Sequence, residues 1–400
     1  MRRRSHSGWA WVALGLLVAA LAVVAAGCGG GDEEGEASTE IEGLGSSLEE
    51  IQANAQEEGE VNLIQWPGYA VLTDEFTQKT GCKVNTKDGT TSDDMISLLQ
   101  SGAYDGGSFS GNATVRLMTT GDVVPIDTEY ITNWDDIQEG IKNKDYNSRD
   151  GQPYGVPHGR GPNYLMFRTD QVPEDTDSWN VIWDDDQLEK YKGKISIYDD
   201  SIFIADAAVY LKATQPDLGI DNPYQLTQEQ FDAAVALLKK QAPYVGEYWP
   251  GDVVKQIQSY TNGDSVVGTT WPYQYVELQK ANAPVAIVKP KEGTTGWSDT
   301  WMVYSQAEHP NCMYLWMDHM ASPEAQAAVA EAFGEAPVNL KACDLTKNTN
   351  HCDEYHADDE SWWDDVYYWT TPSEDCADDD DSTTCKTQAD WQAAWTEIRG

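Results

Sequence analysis

The chain has 400 residues, 67 of them acidic and 26 basic, for a formal net charge of −41 at pH 7. That length suits one large or two medium domains with a substantial core. Such an excess of acid excludes electrostatic binding to nucleic acid or to an anionic bilayer and suits small cations, although most of it does no more than keep the surface solvated.

Arg2, Arg3 and Arg4 precede an apolar run from Trp9 to Ala26 that ends in Ala25-Ala26-Gly27-Cys28. A positive start, an apolar stretch and small residues before a cut site describe a secretory signal. The run is of marginal length for a membrane span, and the cysteine after Ala-Gly resembles a bacterial lipobox. Residues 1–27 are therefore expected to be a lipoprotein signal peptide, with Cys28 lipidated and the protein held outside the cytoplasm on the cell membrane. Residues 28–58, polar and rich in Gly, Glu and Ser, are expected to be a tether that includes one short helix. Of seven cysteines, six remain once Cys28 is set aside. An even number outside the cytoplasm implies disulfides. Cys343 and Cys352 are close in sequence, as are Cys376 and Cys385, which leaves Cys82 with Cys312. None of these spacings is a zinc or redox motif, so no metal or cofactor is expected.

The elements begin with a strand at Val61–Trp66, broken by Pro67-Gly68. Leu72 and Phe76 have helical spacing, Thr80-Gly81 turns, and Cys82–Val84 starts a second strand. Met95, Leu98 and Leu99 mark another helix ahead of Gly102–Asp105. Later, Trp179–Trp183 and Leu188 precede a strand at Lys194–Tyr198, and Ile204–Leu211 reads as a helix. Gln228–Lys240 is an amphipathic helix, with Phe231, Ala234, Val235 and Leu238 on one face. Val266–Gly268 is a short strand leading to Trp271, and Val285–Val288 is another, closed by Pro290. Met302–Tyr304 leads to a helix at Met313–Met320. Strands alternating with helices indicate an α/β fold with a largely parallel sheet. The last sixty or so residues crowd acids, aromatics and four cysteines together. Their Asp378–Asp381 run reads as a solvated loop.

Enzyme motifs are missing: there is no HExxH, P-loop or GxGxxG, and Gly107–Gly111 lacks the spacing of a nucleophile elbow. A secreted hydrolase whose catalytic groups meet only in space is the enzymatic alternative. Tryptophan stands out, with sixteen in the chain. Trp66-Pro67-Gly68-Tyr69, Trp271-Pro272-Tyr273 and Gly296-Trp297-Ser298-Asp299 each place one at a strand end. Loops at the carboxyl ends of strands bind ligands in open α/β sheets, aromatic faces attract ammonium groups, and a carboxylate supplies a charge-assisted hydrogen bond. Together they suggest an aromatic box for a small cation.

From Val61 to Asn339 the chain resembles the spermidine/putrescine-binding family of periplasmic solute-binding proteins. The resemblance lies in Asn62–Tyr69, Phe76–Val84, Gly102–Asp105, Tyr154–Pro157, Tyr191–Lys194 with Asp199-Asp200, Lys289–Gly293 with Trp297–Asp299, and Ala336–Asn339. It implies a two-lobed, periplasmic-binding-protein-like (type II) α/β fold with a ligand cleft between the lobes. Lobe 1 is expected at 59–157 and 298–342 and lobe 2 at 158–297, with 343–400 as a C-terminal segment packing on lobe 2. The implied function is that of a non-enzymatic receptor, monomeric, which hands a cation, a polyamine first of all, to the permease of an ABC importer. A monocation such as a betaine, or another small solute, is the alternative ligand. By resemblance the cleft aromatics fall on Trp66, Tyr69, Trp271 and Trp297, the amine-binding acids on Asp200 and Asp299, and a polar contact on Ser110. In two places the chain departs from the family: Phe203 replaces a second acid, and Glu335 replaces a cleft tyrosine. Glu335 then becomes a candidate second anchor.

Overall fold

Two five-stranded sheets carry the fold, as seen in a computed structural model that describes residues 41–249, 253–376 and 384–400. The expected signal segment, Cys28 and the Asp378–Asp381 run lie outside the described residues.

The first sheet runs in the order Lys83–Asp88, Glu60–Gln65, Gly106–Phe109, Thr300–Val303, Val156–Pro157. Its first three strands are parallel, and Thr300–Val303 is antiparallel to both its neighbours. The second sheet runs Val245–Trp249, Ile195–Tyr198, Val267–Thr270, Tyr164–Arg168, Val285–Val288. Here too the first three strands are parallel, and Tyr164–Arg168 is antiparallel to both its neighbours. Most of these strands are buried along their length, so they read as apolar runs rather than alternating patterns.

A smaller four-stranded sheet joins the two. Gly159–Pro162 lies in sequence between a strand of the first sheet and one of the second, and Thr294–Trp297 makes the return crossing. The crossings pair antiparallel, Gly296 with Pro162 and Trp297 with Gly161. Ala336–Pro337 flanks one side, and Val366–Tyr368 adds a parallel strand on the other. This arrangement of two α/β lobes joined by crossing strands is the fold class expected from the sequence.

The expected tether needs correction. The stretch from Ile41 to Glu58 is built into the fold rather than trailing from it. Ser47 caps the helix Leu48–Glu58 by accepting from the Glu50 amide, and Gly59 ends it in the left-handed region at φ 72°. Ile51 and Ala55 on its inner face are buried. Glu58 accepts hydrogen bonds from the amides of Asn311 and Cys312 at the start of the helix Pro310–Ala321. Two apolar residues a turn apart and a carboxylate on a helix N-terminus suffice to dock this short helix.

The three cysteine pairs expected from spacing lie at disulfide distance, with Cα separations of 5.9 Å (Cys82–Cys312), 5.8 Å (Cys343–Cys352) and 5.3 Å (Cys376–Cys385). Among the described residues no helix is long and apolar enough to cross a membrane, and no group of three His, Cys, Asp or Glu could hold a metal.

Candidate functional site

Strand ends from both sheets converge on one small cavity, lined by Trp66, Tyr69, Ser110, Trp271, Trp297, Asp299, Phe333 and Trp369. Trp66 directly follows Glu60–Gln65, and the turn after it, with Gly68 at φ 92°, brings Tyr69 back beside it. Ser110 follows Gly106–Phe109 and begins the helix Gly111–Thr120. Trp271 follows Val267–Thr270, where Pro272 starts a helix. Trp297 ends the return crossing, and Asp299 sits between it and Thr300–Val303. Parallel strands deliver their carboxyl ends to one edge, which is why residues so far apart in sequence meet here.

The lining rings pack in two clusters, Trp66 with Trp271 and Trp369, and Tyr69 with Phe333 and Trp297. Trp66 meets Trp271 edge-on at 5.5 Å, and Tyr69 meets Phe333 at 4.9 Å. Phe333 meets Trp297 at 5.2 Å, and Trp271 meets Trp369 at 6.5 Å. Gly161 is required by this packing, since a Cβ there would lie 2.4 Å from the Trp297 ring.

Asp299 is the one acid among the lining residues and is 2% exposed. The Tyr69 hydroxyl donates to its Oδ2 at 2.9 Å, while Oδ1 makes no well-formed hydrogen bond, with the Ser110 hydroxyl as the carboxylate's other polar neighbour. Burial pushes the carboxyl up to about 6, although the Ser110 and Tyr69 hydroxyls pull it partly back. It is a carboxylate short of counter-charge, and a cation would supply it.

The other two acids singled out in the sequence do not line the cavity. Asp200 caps the turn Ser201–Phe203, its Oδ1 accepting from the Ile202 amide at 2.9 Å. Burial raises it to about 6. Glu335 lies behind the lining rings, fully buried, and neither of its oxygens has a hydrogen-bond partner. The His158 ring stacks on Tyr69 at 3.8 Å, accepts at Nδ1 from the Trp301 indole, and turns Nε2 toward Glu335 at 3.4 Å. Burial drops His158 to about 3, which keeps it neutral, and burial with the charge of Asp299 raises Glu335 well above the carboxylate range. A neutral imidazole beside a protonated acid avoids burying two charges. Phe203 stacks on Trp183 at 5.8 Å and meets Trp395 edge-on, deep in the core.

Sequence reasoning missed Phe333 and Trp369. Phe333 ends the helix Pro323–Phe333 and looks in sequence like any core phenylalanine. Trp369 belongs to the aromatic C-terminal run, whose register shows only once Val366–Tyr368 pairs with Thr294–Gly296. Its amide then donates to the Gly296 carbonyl at 2.8 Å, and its ring stacks on Tyr198 at 5.8 Å.

The family of bacterial extracellular solute-binding proteins matches residues 72–360. The spermidine/putrescine-binding periplasmic protein of Escherichia coli is 24% identical over 296 residues, 72% of this chain and 80% of that protein. Two solved structures share the fold. One is the spermidine/putrescine ABC transporter substrate-binding protein of Streptococcus pneumoniae, with TM-score 0.66 and 17% identity, covering 85% of this chain and 97% of that one. The other is a lipoprotein of Treponema pallidum, with TM-score 0.65 and 19% identity, covering 85% and 99%.

Proposed function

Because the chain belongs to the bacterial extracellular solute-binding proteins and has their two-lobed type II fold, we propose that it captures a small organic cation for the permease of an ABC importer. Polyamines, putrescine and spermidine, are the first class to consider, since the relatives are named for them. One observation carries this reading: Asp299 is buried inside a ring of aromatic faces with one oxygen held by Tyr69 and the other unpartnered. Desolvating a carboxylate without a counter-charge is costly, and each aromatic face adds roughly 0.5–2 kcal/mol of attraction for a cation.

The family is one of solute-binding proteins rather than enzymes, which weighs against a hydrolase. In this reading the protein acts as a monomer outside the cytoplasm, bound neither to nucleic acid nor to an anionic lipid surface. Cys28 carries the lipid that holds it to the membrane, with more than one acyl chain for stable attachment. Mass spectrometry of the mature N-terminus tests the anchor, and an unmodified residue there overturns it.

Calorimetric titration with putrescine, spermidine and glycine betaine tests the cation reading. Saturable one-to-one binding without turnover supports it, and no binding of any cation overturns it. A monocation is the second reading, and it is favoured by Asp299 being the single acid on the cavity wall among the described residues.

A further inference from the structure

The cavity carries more unpartnered groups than one carboxylate oxygen. The indole N–H groups of Trp66, Trp297 and Trp369 are buried and have no hydrogen-bond partner, and all three residues line the cavity. Each of the three is 3% exposed. Trp183, Trp249, Trp316 and Trp391 also have unpartnered indoles, but none of these four lines the cavity. An unpartnered indole is thus no sign of a ligand by itself. What singles out the three is that their residues line the same cavity as Asp299, whose Oδ1 is also unpartnered.

This inventory does not suit an extended polyamine. A protonated polyamine offers donors and no acceptors, so it would satisfy Asp299 and leave three indole donors dry. Each buried donor left unpaired costs roughly 1–3 kcal/mol. Nor do the described residues lining the cavity offer a second acid for another ammonium: Asp200 caps its own turn, Phe203 is core, and Glu335 is shut behind Tyr69 and His158.

Resting on the small-cation reading, we infer that the cleft is matched to a ligand with one ammonium centre and its own oxygen acceptors, an amino alcohol or an amino acid-like zwitterion. The ammonium pairs with Asp299 against the aromatic faces. The oxygens, hydroxyl or carboxylate, accept from the indole N–H groups of Trp66, Trp297 and Trp369. Recognition of a cation by a ring of aromatics is physically indifferent to what the rest of the ligand carries. The indole donors supply the selection, because a site with buried donors rejects a ligand that cannot accept.

The test is titration of the purified full-length protein with three ligands of matched chain length: putrescine, 4-aminobutan-1-ol and 4-aminobutyrate. The better of the two oxygen-bearing ligands is expected to bind at least about tenfold tighter than putrescine, and the order of those two tells a hydroxyl from a carboxylate. Trp297→Phe and Trp369→Phe, which keep a ring and remove the N–H, are expected to erase most of that preference, weakening the oxygen-bearing ligand by a larger factor than putrescine. If putrescine binds as tightly as both oxygen-bearing ligands, or the Trp→Phe variants weaken all three alike, the inference is overturned while the small-cation reading stands. If none of the three binds, and spermidine and glycine betaine do not bind either, both fall together.

Discussion

The two sides of the cleft differ in where they put charge. The side built on the first sheet supplies Asp299, Ser110, the Tyr69 hydroxyl and Trp66. The side built on the second sheet supplies Trp271, backed by Trp249 at 5.0 Å and Tyr198 at 5.3 Å. Acids of the second lobe are spent elsewhere: Asp199 pairs with Arg399 at 2.8 Å, and Asp206 accepts from Thr295. On the proposed reading, one side pairs and orients a cation, and the other excludes water from it. Changes on the first side should cost a charge interaction, and changes on the second should cost shape.

The harshest way to break this division is to place an acid on the aromatic side. Phe203→Glu would bury an unpaired carboxylate between Trp183 and Trp395 and is expected to destabilise the fold by about 3–5 kcal/mol. Urea unfolding reads this directly, and a variant as stable as the parent would mean that the glutamate reaches the cleft as a second anchor. Next in size is Asp299→Asn, which keeps the shape and removes the counter-charge. Affinity for the cation should fall about a hundredfold or more, and unchanged affinity would remove Asp299 from the site.

Trp271→Ala sharpens the contrast, because it takes away surface and no charge. A loss of about tenfold is expected, from one cation–aromatic contact and its apolar area. Loss on the scale of Asp299→Asn would show that the second side does more than exclude water.

The titration of Asp299 comes next. Its folded value is about 6, and a cation needs the charged form, so affinity should be level above pH 6 and fall by up to about tenfold per unit below it. Calorimetry from pH 5 to 8 measures this, and Asp299→Asn should flatten the profile. Without ligand the sign reverses for stability. A carboxyl raised above its unfolded value keeps its proton longer in the folded state, so its contribution is present at low pH and is lost as pH rises through about 6. Asp206, raised to about 7, adds to the same decline.

Glu335→Gln is expected to have the smallest effect. The structure favours the protonated carboxyl there, so replacing it with an uncharged amide should change affinity by less than about threefold. A large loss would make Glu335 a charged partner of the ligand.

Much of this was legible before the fold was known. Trp66, Tyr69, Trp271, Trp297 and Asp299 announce themselves as aromatics and an acid beside strand-breaking Pro, Gly and Ser, and the strand pattern around them is strong because the sheets are buried. Asp200 and Asp299 look alike in sequence, each an acid just outside a strand. Only the backbone tells them apart, since Asp200 accepts from the Ile202 amide two residues on and Asp299 has no such local partner. The docking of the helix Leu48–Glu58 was hidden for a related reason. Its apolar face is two residues wide, too narrow to register as periodicity amid polar sequence.

The local pattern alone determined the α/β alternation, the pairing of near-neighbour cysteines and the supply of aromatics and an acid at strand ends, because each depends on spacings of a few residues. Tertiary structure alone decided which of those side chains share a cavity. Trp369 enters the cleft because Val366–Tyr368 finds its register against Thr294–Gly296, and Glu335 leaves it because Tyr69 and His158 stack in front. Both outcomes rest on contacts between segments distant in sequence, where burial and hydrogen-bond supply, rather than residue type, determine whether an acid binds a ligand or keeps its proton.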